Sequence, residues 1–474
     1  MVSVIMIVLL AFIFLVASVF VFNKVLPGLV LSITMVIVHT LFSGEEAFQL
    51  SSHAANAILI TFELALLIIG SISFYRLLEH TGHFKEFSSR LQSRYDQVDI
   101  LLLMAWFLCT FFEGVAGFGV PALLIAPIMI SLGYKPLSTV VLLLSANTLS
   151  VCYGALGTPI KIGLDIVSTS HPFSTAMSVK LFPLMLIMPL WLIGLASILE
   201  PEKVKLRWQL IPFGLLAGLI PASMLFLLSH YSLEFPSVIA GLSGFIIYLL
   251  FRTRWTDLKP ELVFWLQFFK PYLMLVIVLF IARHAIGYAN VELISGIRKV
   301  ATYQPGLLIL LFSFAWFSLK MSQKKSMLTF GQIFTKSVMK SGITLVTILL
   351  LVFLSGMMRK PVSELILNSG LSESFIIWIS PFVGILGSFT TGSLTMSNLL
   401  LHQTFETVLG YTDNLLQVMV LLHIGGALGN AISLQNIVIV NAVFPQSAPL
   451  KKVIGWNVIS VGFFAVLLLL TYLF

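Results

Sequence analysis

Apolar runs of membrane-crossing length alternate with short polar breaks along most of the chain. About 20 apolar residues cover the hydrocarbon core of a bilayer. Uninterrupted candidates run over 3–22, 25–42, 56–78, 179–199, 210–229, 236–251, 268–284, 305–319, 341–358 and 453–473. Three regions, 98–133, 137–168 and 374–441, are rich in Gly, Ser, Thr, Asn and Pro and do not read as simple spanning helices. No soluble domain fits between the runs. Val4 to Phe22 lacks a basic leader and a small-residue cleavage site, so a retained helix is expected rather than a signal peptide.

The polar regions echo one another. Glu113-Gly-Val-Ala-Gly-Phe-Gly-Val-Pro121 is followed by Leu132-Gly-Tyr134 and then Gly154-Ala-Leu-Gly157. In the second half a Gly/Ser/Thr run from Gly384 to Asn398 is followed by Leu409-Gly-Tyr411 and then Gly426-Ala-Leu-Gly429. Each series reads as a hairpin, a turn and a broken helix. The expected organisation is N-terminal helices over 1–97, a first hairpin and broken helix over 98–168, and intervening helices over 179–358. A second hairpin and broken helix cover 374–441, and a C-terminal helix covers 453–473.

Composition fixes the environment. Of 474 residues, 58% are hydrophobic and 10% charged, too few polar side chains to cover a water-facing surface. Soluble enzymes, nucleic-acid binders and disulfide scaffolds are excluded. The +8 formal charge belongs to loops that hold the topology, not to a nucleic-acid partner. Basic residues crowd the loops 76–97, 200–209, 252–259 and 320–340, which places those loops in the cytoplasm and both termini outside. Turns 132–134 and 409–411 then fall on opposite faces, so the internal duplication is inverted. Segment 98–133 is cramped for two crossings and reads as a re-entrant hairpin. Such irregular backbone is tolerated where it lines a cavity or is buried in protein. Cys109 and Cys152 lie in apolar stretches and suggest neither a disulfide nor a metal framework.

Inverted repeats with interrupted helices are a recurring design of secondary transporters, in which half-helix N-termini hold anions and freed carbonyls hold cations. Glu113, beside the first glycine run, is the first choice for a proton-coupling group; a hydrogen bond capping the hairpin is the structural alternative. His423 is a second proton-coupling candidate, against a helix-contact role. Gly117 and Gly119 at the hairpin tip, Ala146, Asn147 and Thr148, and Thr395, Ser397 and Asn398 are candidate substrate-binding residues. Ser433 and Gln435 join them from the polar stretch Asn430–Asn436, which is expected to line the path; for the hydroxyl and amide groups the alternative is interhelical hydrogen bonding. Glu63 is expected to pair within the bundle, and Lys161 either attracts a carboxylate or pairs with Asp165, four residues on. Lys270-Pro271 reads as the start of a helix, and His83–Arg94 and Ser326–Lys340 as amphipathic interfacial segments. No metalloprotease, P-loop or dinucleotide motif is present.

Phe112-Glu-Gly-Val-Ala-Gly-Phe-Gly-Val-Pro121, Leu132-Gly-Tyr-Lys-Pro136, Ala146-Asn-Thr148 and Gly154-Ala-Leu-Gly-Thr-Pro-Ile160 resemble, in the same order, stretches of the L-lactate permease family. Thr391-Gly-Ser-Leu-Thr-Met-Ser-Asn398 and Gly425-Gly426 with Ile432-Ser-Leu-Gln435 continue the resemblance. It implies import of lactate or glycolate across the cytoplasmic membrane by proton symport, on an ion-transporter fold with inverted repeats and hairpins. Two positions depart: Leu394 stands where the family tends to have Asp, and Asn430 where it tends to have Lys.

The expectation is an all-α polytopic membrane protein of about twelve transmembrane helices and two re-entrant hairpins in two inverted-topology repeats. It is not an enzyme, needs no cofactor beyond a coupling proton (sodium is not excluded), and takes a small 2-hydroxy monocarboxylate within the cell membrane. A homo-oligomer is compatible with this. A sodium-coupled transporter of another anion, and a channel or sensor of transporter descent, are the rival readings.

Overall fold

The protein is described by a computed structural model, excluding residues 1–9, 12, 16, 19–20, 22–25, 43–46, 81–94, 118–119, 165–169, 287–289, 293–298, 322–328, 369, 411–412, 442–447 and 474. Helices dominate. In chain order they are α1 (Leu26–Phe42), α2 (Ala47–His80), α3 (Gln97–Val115), α4 (Val120–Ser131), α5 (Pro136–Ser150), a 3₁₀ turn (Val151–Tyr153) and α6 (Gly154–Lys161). Next come α7 (Ser170–Leu199), α8 (Leu210–Ser229), α9 (Pro236–Arg252), α10 (Trp255–Ile286), α11 (Pro305–Met321) and α12 (Phe330–Asn368). The last five are α13 (Glu373–Thr391), α14 (Leu394–Leu409), α15 (Asp413–Gly429), α16 (Leu434–Asn441) and α17 (Leu450–Leu473). A short antiparallel ribbon, Asn290–Glu292 with Lys299–Ala301, joins α10 to α11. Among the described residues, nine helices are long and apolar enough to cross a membrane.

Two compact units emerge. One comprises residues 1–46, 95–247 and 350–474; the other comprises 47–94 and 248–349. In the second, α2 and α11 meet backbone to backbone through Gly70 and Gly306, as small residues permit in membrane bundles. Glu63 finds its partner here: Oε1 accepts from Gln304 Nε2 at 3.1 Å.

The first unit contains both polar regions, and their element series match. In the first, α3 ends before Gly117 (φ +58°), α4 ends at Gly133 (φ +82°), and α5 runs into a break ahead of the short α6. In the second, α13 ends at Gly392 (φ +75°), α14 ends at Gly410 (φ +62°), and α15 runs into a break ahead of the short α16. Left-handed backbone at these four turns explains the glycines. At Leu132-Gly-Tyr134 the closure is a Schellman motif: Tyr134 N donates to Met129 O at 3.0 Å and Gly133 N to Ile130 O at 2.8 Å. Each short helix packs on the other series, α6 on α14 and α16 on α4.

Neighbouring contacts pin the first series. The Asp96 carboxylate caps α3, accepting from Val98 N and Asp99 N. Glu200, buried after α7, accepts from Lys135 N at 2.7 Å and from the Ser138 hydroxyl, fixing the start of α5. Burial first, then Glu200 and Asp96, push the Tyr134 phenol well above its ordinary range, so its hydroxyl stays a donor, to Gln97 O at 3.0 Å. Almost all of α3 and α5 is buried, whereas α8 leaves Phe213, Leu215, Leu219 and Leu227 exposed, as a lipid-facing helix would.

Several local expectations need correction. Gln97–Val115 is one continuous helix of 19 residues, with a π-helical stretch over Leu102–Leu108. Lys270-Pro271 lies inside α10 rather than at a helix start, because neighbouring turns carry the helix through proline. Phe330–Lys340 is the first part of α12 and not a separate interfacial helix; His83–Arg94 and 326–328 lie outside the described residues. So does most of Val4–Phe22. Both cysteines are free and buried.

Candidate functional site

The break after α5 is the most strained backbone described. Gly154 is extended (φ −67°, ψ 161°), and then Ala155 (φ 45°), Leu156 (φ 56°) and Gly157 (φ 72°) turn left-handed in succession. Two non-glycine residues in this region cost about 1–3 kcal/mol each and persist only where surroundings over-determine them. Here they do. Gly157 lies on the Leu233 carbonyl with no room for a side chain, and the Thr158 hydroxyl donates to Ala155 O. Asn398 Nδ2 donates to Pro159 O at 2.9 Å. His423 Nε2 donates to Cys152 O at 3.1 Å. A carbonyl only accepts, so Nε2 carries the ring proton and Nδ1 is left to accept from Asn398 Nδ2 at 2.8 Å. Lys161, at the end of α6, pairs with buried Glu234 at 2.5 Å. Asp165, the other partner that the sequence offered, lies outside the described residues.

The second break, Asn430–Ser433, is a series of tight turns held from α17. Asn457 Nδ2 donates to Ala431 O at 2.7 Å, and Asn457 Oδ1 accepts from the Ser145 hydroxyl at 3.0 Å. Asn436 Nδ2 donates to Asn430 O at 3.1 Å.

Both breaks border one cavity, which together with its open mouth takes in about 600 Å³ of space. Its polar lining includes Glu113, Asn147, Ser393, Thr395, Asn430 and Asn436. Glu113 Oε2 accepts from Asn147 Nδ2 at 3.0 Å, and Asn147 Oδ1 faces the Cys109 thiol at 3.4 Å. Ser393 caps α14 without a side-chain hydrogen bond, leaving first-turn N–H groups of a 16-residue helix to other acceptors. Asn430 Oδ1 is buried with no hydrogen-bond partner. Leu394 and Ala155 supply apolar wall. No basic side chain lines the cavity among the described residues.

The sequence-predicted residues divide. Glu113, Asn147 and Thr395 line the cavity. Gly117 lies beside it, against Ala155 and within reach of Glu113. Asn398 and His423 sit behind the wall, holding the first break. Ser397 donates to Gly384 O at 3.3 Å and Thr148 to Ser145 O at 2.8 Å, both within the helix packing. Ala146 and Ser433 are fully buried outside the lining, and Gln435 packs over Gly392. Gly119 lies outside the described residues. The polar stretch 430–436 reaches the cavity through its two end asparagines. Gly154 and Ser393 had no chemical signature to announce them. Gly425 and Gly429 serve close packing of α15 on α13, against Pro381 and Ile385.

The L-lactate permease family model matches residues 1–265 and 263–474. The chain belongs to the L-lactate permease family. The L-lactate permease of Escherichia coli K12 is 28% identical over 451 residues, covering 79% of this chain and 78% of the relative. The putative L-lactate permease of Haemophilus influenzae is 24% identical over 92% of this chain and 91% of its own length. The glycolate permease GlcA of Escherichia coli K12 is 30% identical over 42% of this chain and 35% of the relative. The Neisseria gonorrhoeae antimetabolite efflux pump MtrF aligns with a TM-score of 0.42 and 13% identity over 93% of this chain and 84% of that one, too slight a likeness to build on. Membership of this permease family and the many apolar helices make the chain a multi-pass membrane protein of a transport family. The two departures noted in sequence, Leu394 and Asn430, both line the cavity.

Proposed function

We propose that this permease imports L-lactate or a related 2-hydroxy monocarboxylate such as glycolate, with a proton, across the cytoplasmic membrane. The observation that carries the reading is the convergence of a buried carboxyl, an open helix N-terminus and an unpartnered amide oxygen on one cavity bordered by both breaks. The substrate carboxylate takes the first-turn N–H groups of α14. The 2-hydroxyl donates to Asn430 Oδ1, and the methyl faces Leu394 and Ala155. Glu113 carries the coupling proton. An ionised Glu113 beside a bound anion, with no cation among the described residues of the lining, is opposed by repulsion and desolvation, so proton and anion load together. His423, with both ring nitrogens engaged, positions the first break.

In this reading the two polar series are hairpin-and-break repeats of inverted topology, within a bundle of about twelve spanning helices. Cysteines at Ser131 and Thr407, which flank the two turns, then label from opposite sides with an impermeant reagent. Labelling from one side rejects the inversion.

The functional test is uptake of L-lactate, glycolate and pyruvate into proteoliposomes under an imposed pH gradient, repeated with choline in place of sodium. Glu113→Gln abolishes proton-driven accumulation and retains some exchange. Accumulation at the wild-type ratio in that variant removes the role, and loss of uptake in choline assigns the coupling to sodium.

A further inference from the structure

Gly154 differs from the other glycines around the cavity. Its backbone is extended, in a region open to any residue. A methyl group there would lie 2.6 Å from Glu113 Oε1, and the next nearest atoms, Cδ and Cγ at 3.4 Å, belong to the same side chain. By contrast, a methyl at Gly117 would meet Ala155 from a left-handed backbone position, and one at Gly157 the Leu233 backbone. A methyl at Gly392, also in the lining, would meet the Gln435 side chain, but again from a left-handed backbone position; among these glycines only Gly154 joins extended backbone to an obstacle that is the flexible end of a side chain. That side chain is the one carboxyl among the described residues of the lining, already fixed from the other side by Asn147.

We infer that Gly154 is a positioning residue for proton coupling: its missing side chain is the space in which the Glu113 carboxyl rests, opposite the Asn147 amide. The first break thus supplies half the seat of the coupling group, and α5 the other half. A side chain at 154 displaces Oε1 and loosens the Asn147 contact without straining the backbone. The inference rests on the assignment of the coupling proton to Glu113.

The test uses full-length protein in liposomes. Proton-driven L-lactate accumulation is measured across a pH series, and L-lactate counterflow without a gradient. Gly154→Ala is expected to lower accumulation about tenfold, the scale of a misplaced reacting group, and to shift its pH profile while counterflow persists. Glu113→Asp withdraws the carboxyl by one methylene, so Glu113→Asp with Gly154→Ala accumulates better than either single variant. An unaltered accumulation and pH profile in Gly154→Ala, or a double variant no better than the worse single, overturns the inference. If Gly154→Ala yields no folded protein, Glu113→Ala with Gly154→Ala restores the yield when the clash is with Glu113; failure to restore it overturns the inference as well. Wild-type accumulation in Glu113→Gln removes the coupling assignment and the inference with it. Loss in Glu113→Gln with no effect of Gly154→Ala removes the inference alone.

Discussion

Asn398 Nδ2 donates to His423 Nδ1 at 2.8 Å, and the pair reaches back to grip Pro159 and Cys152, the carbonyls on either side of the left-handed turn 155–157. Neither side chain needs a charge for this. Asn398→Ala leaves Pro159 O and His423 Nδ1 without donors, at about 1–3 kcal/mol for each orphaned group. Asn398→Asp is expected to be worse, because carboxylate oxygens face two acceptors. Thermal unfolding in detergent orders the three proteins wild type, Ala, Asp; equal midpoints for all three discard the grip.

The Lys161–Glu234 pair makes a different demand. Glu234 is fully buried and Lys161 is partly exposed. Lys161→Met leaves a buried carboxylate, and breaking such pairs from one side costs about 3–5 kcal/mol. Lys161→Met with Glu234→Leu removes both charges and is expected to regain most of the loss. Folded yield and unfolding midpoints check this. Equal stability of the single and double variants argues against the pair.

Two glycines separate backbone demand from helix propensity. Gly157→Ala meets the Leu233 carbonyl from a left-handed position, so folded protein is expected to be lost. Gly194, inside α7, has open space around it, and Gly194→Ala is expected to be neutral or to gain up to about 1 kcal/mol. Size-exclusion profiles after mild heating distinguish the two.

Leu394 and Asn430 share the cavity, and Leu394 packs over Gly426. Leu394→Asp puts a second carboxylate in a lining whose described residues offer no cation, and is expected to reduce L-lactate uptake about tenfold or more, a repulsion and desolvation cost of a few kcal/mol. Adding Asn430→Lys supplies the counter-charge and restores uptake in part. Uptake initial rates across wild type, both singles and the double measure the coupling; purely additive losses show that the two positions act separately.

The duplicated element series was legible because left-handed turns require glycine and breaks require polar or small residues, which leave marks at fixed intervals. Glu113, Asn147 and Thr395 were legible as polar groups beside those marks. The partners were not. Lys161 finds Glu234 across 73 residues and His423 finds Cys152 across 271, and no local periodicity encodes such pairings. Ser397, Thr148 and Ala146 lie outside the lining because a polar stretch on a buried helix turns only some of its residues toward the cavity. Gly154 was legible as the start of a break but not as the neighbour of Glu113, because its contribution there is the absence of a side chain.

The cross-packing of α6 on α14 and α16 on α4 bears on how the chain matures. When the first broken helix leaves the ribosome, the residues that will bind its Cys152 and Pro159 carbonyls are still more than two hundred positions from synthesis. The early product must wait in the bilayer with that turn undecided, sheltered by water, lipid headgroups or an insertion factor. Native shape arrives only with α14 and α15, so a truncated message would leave a half that has been inserted but never locked.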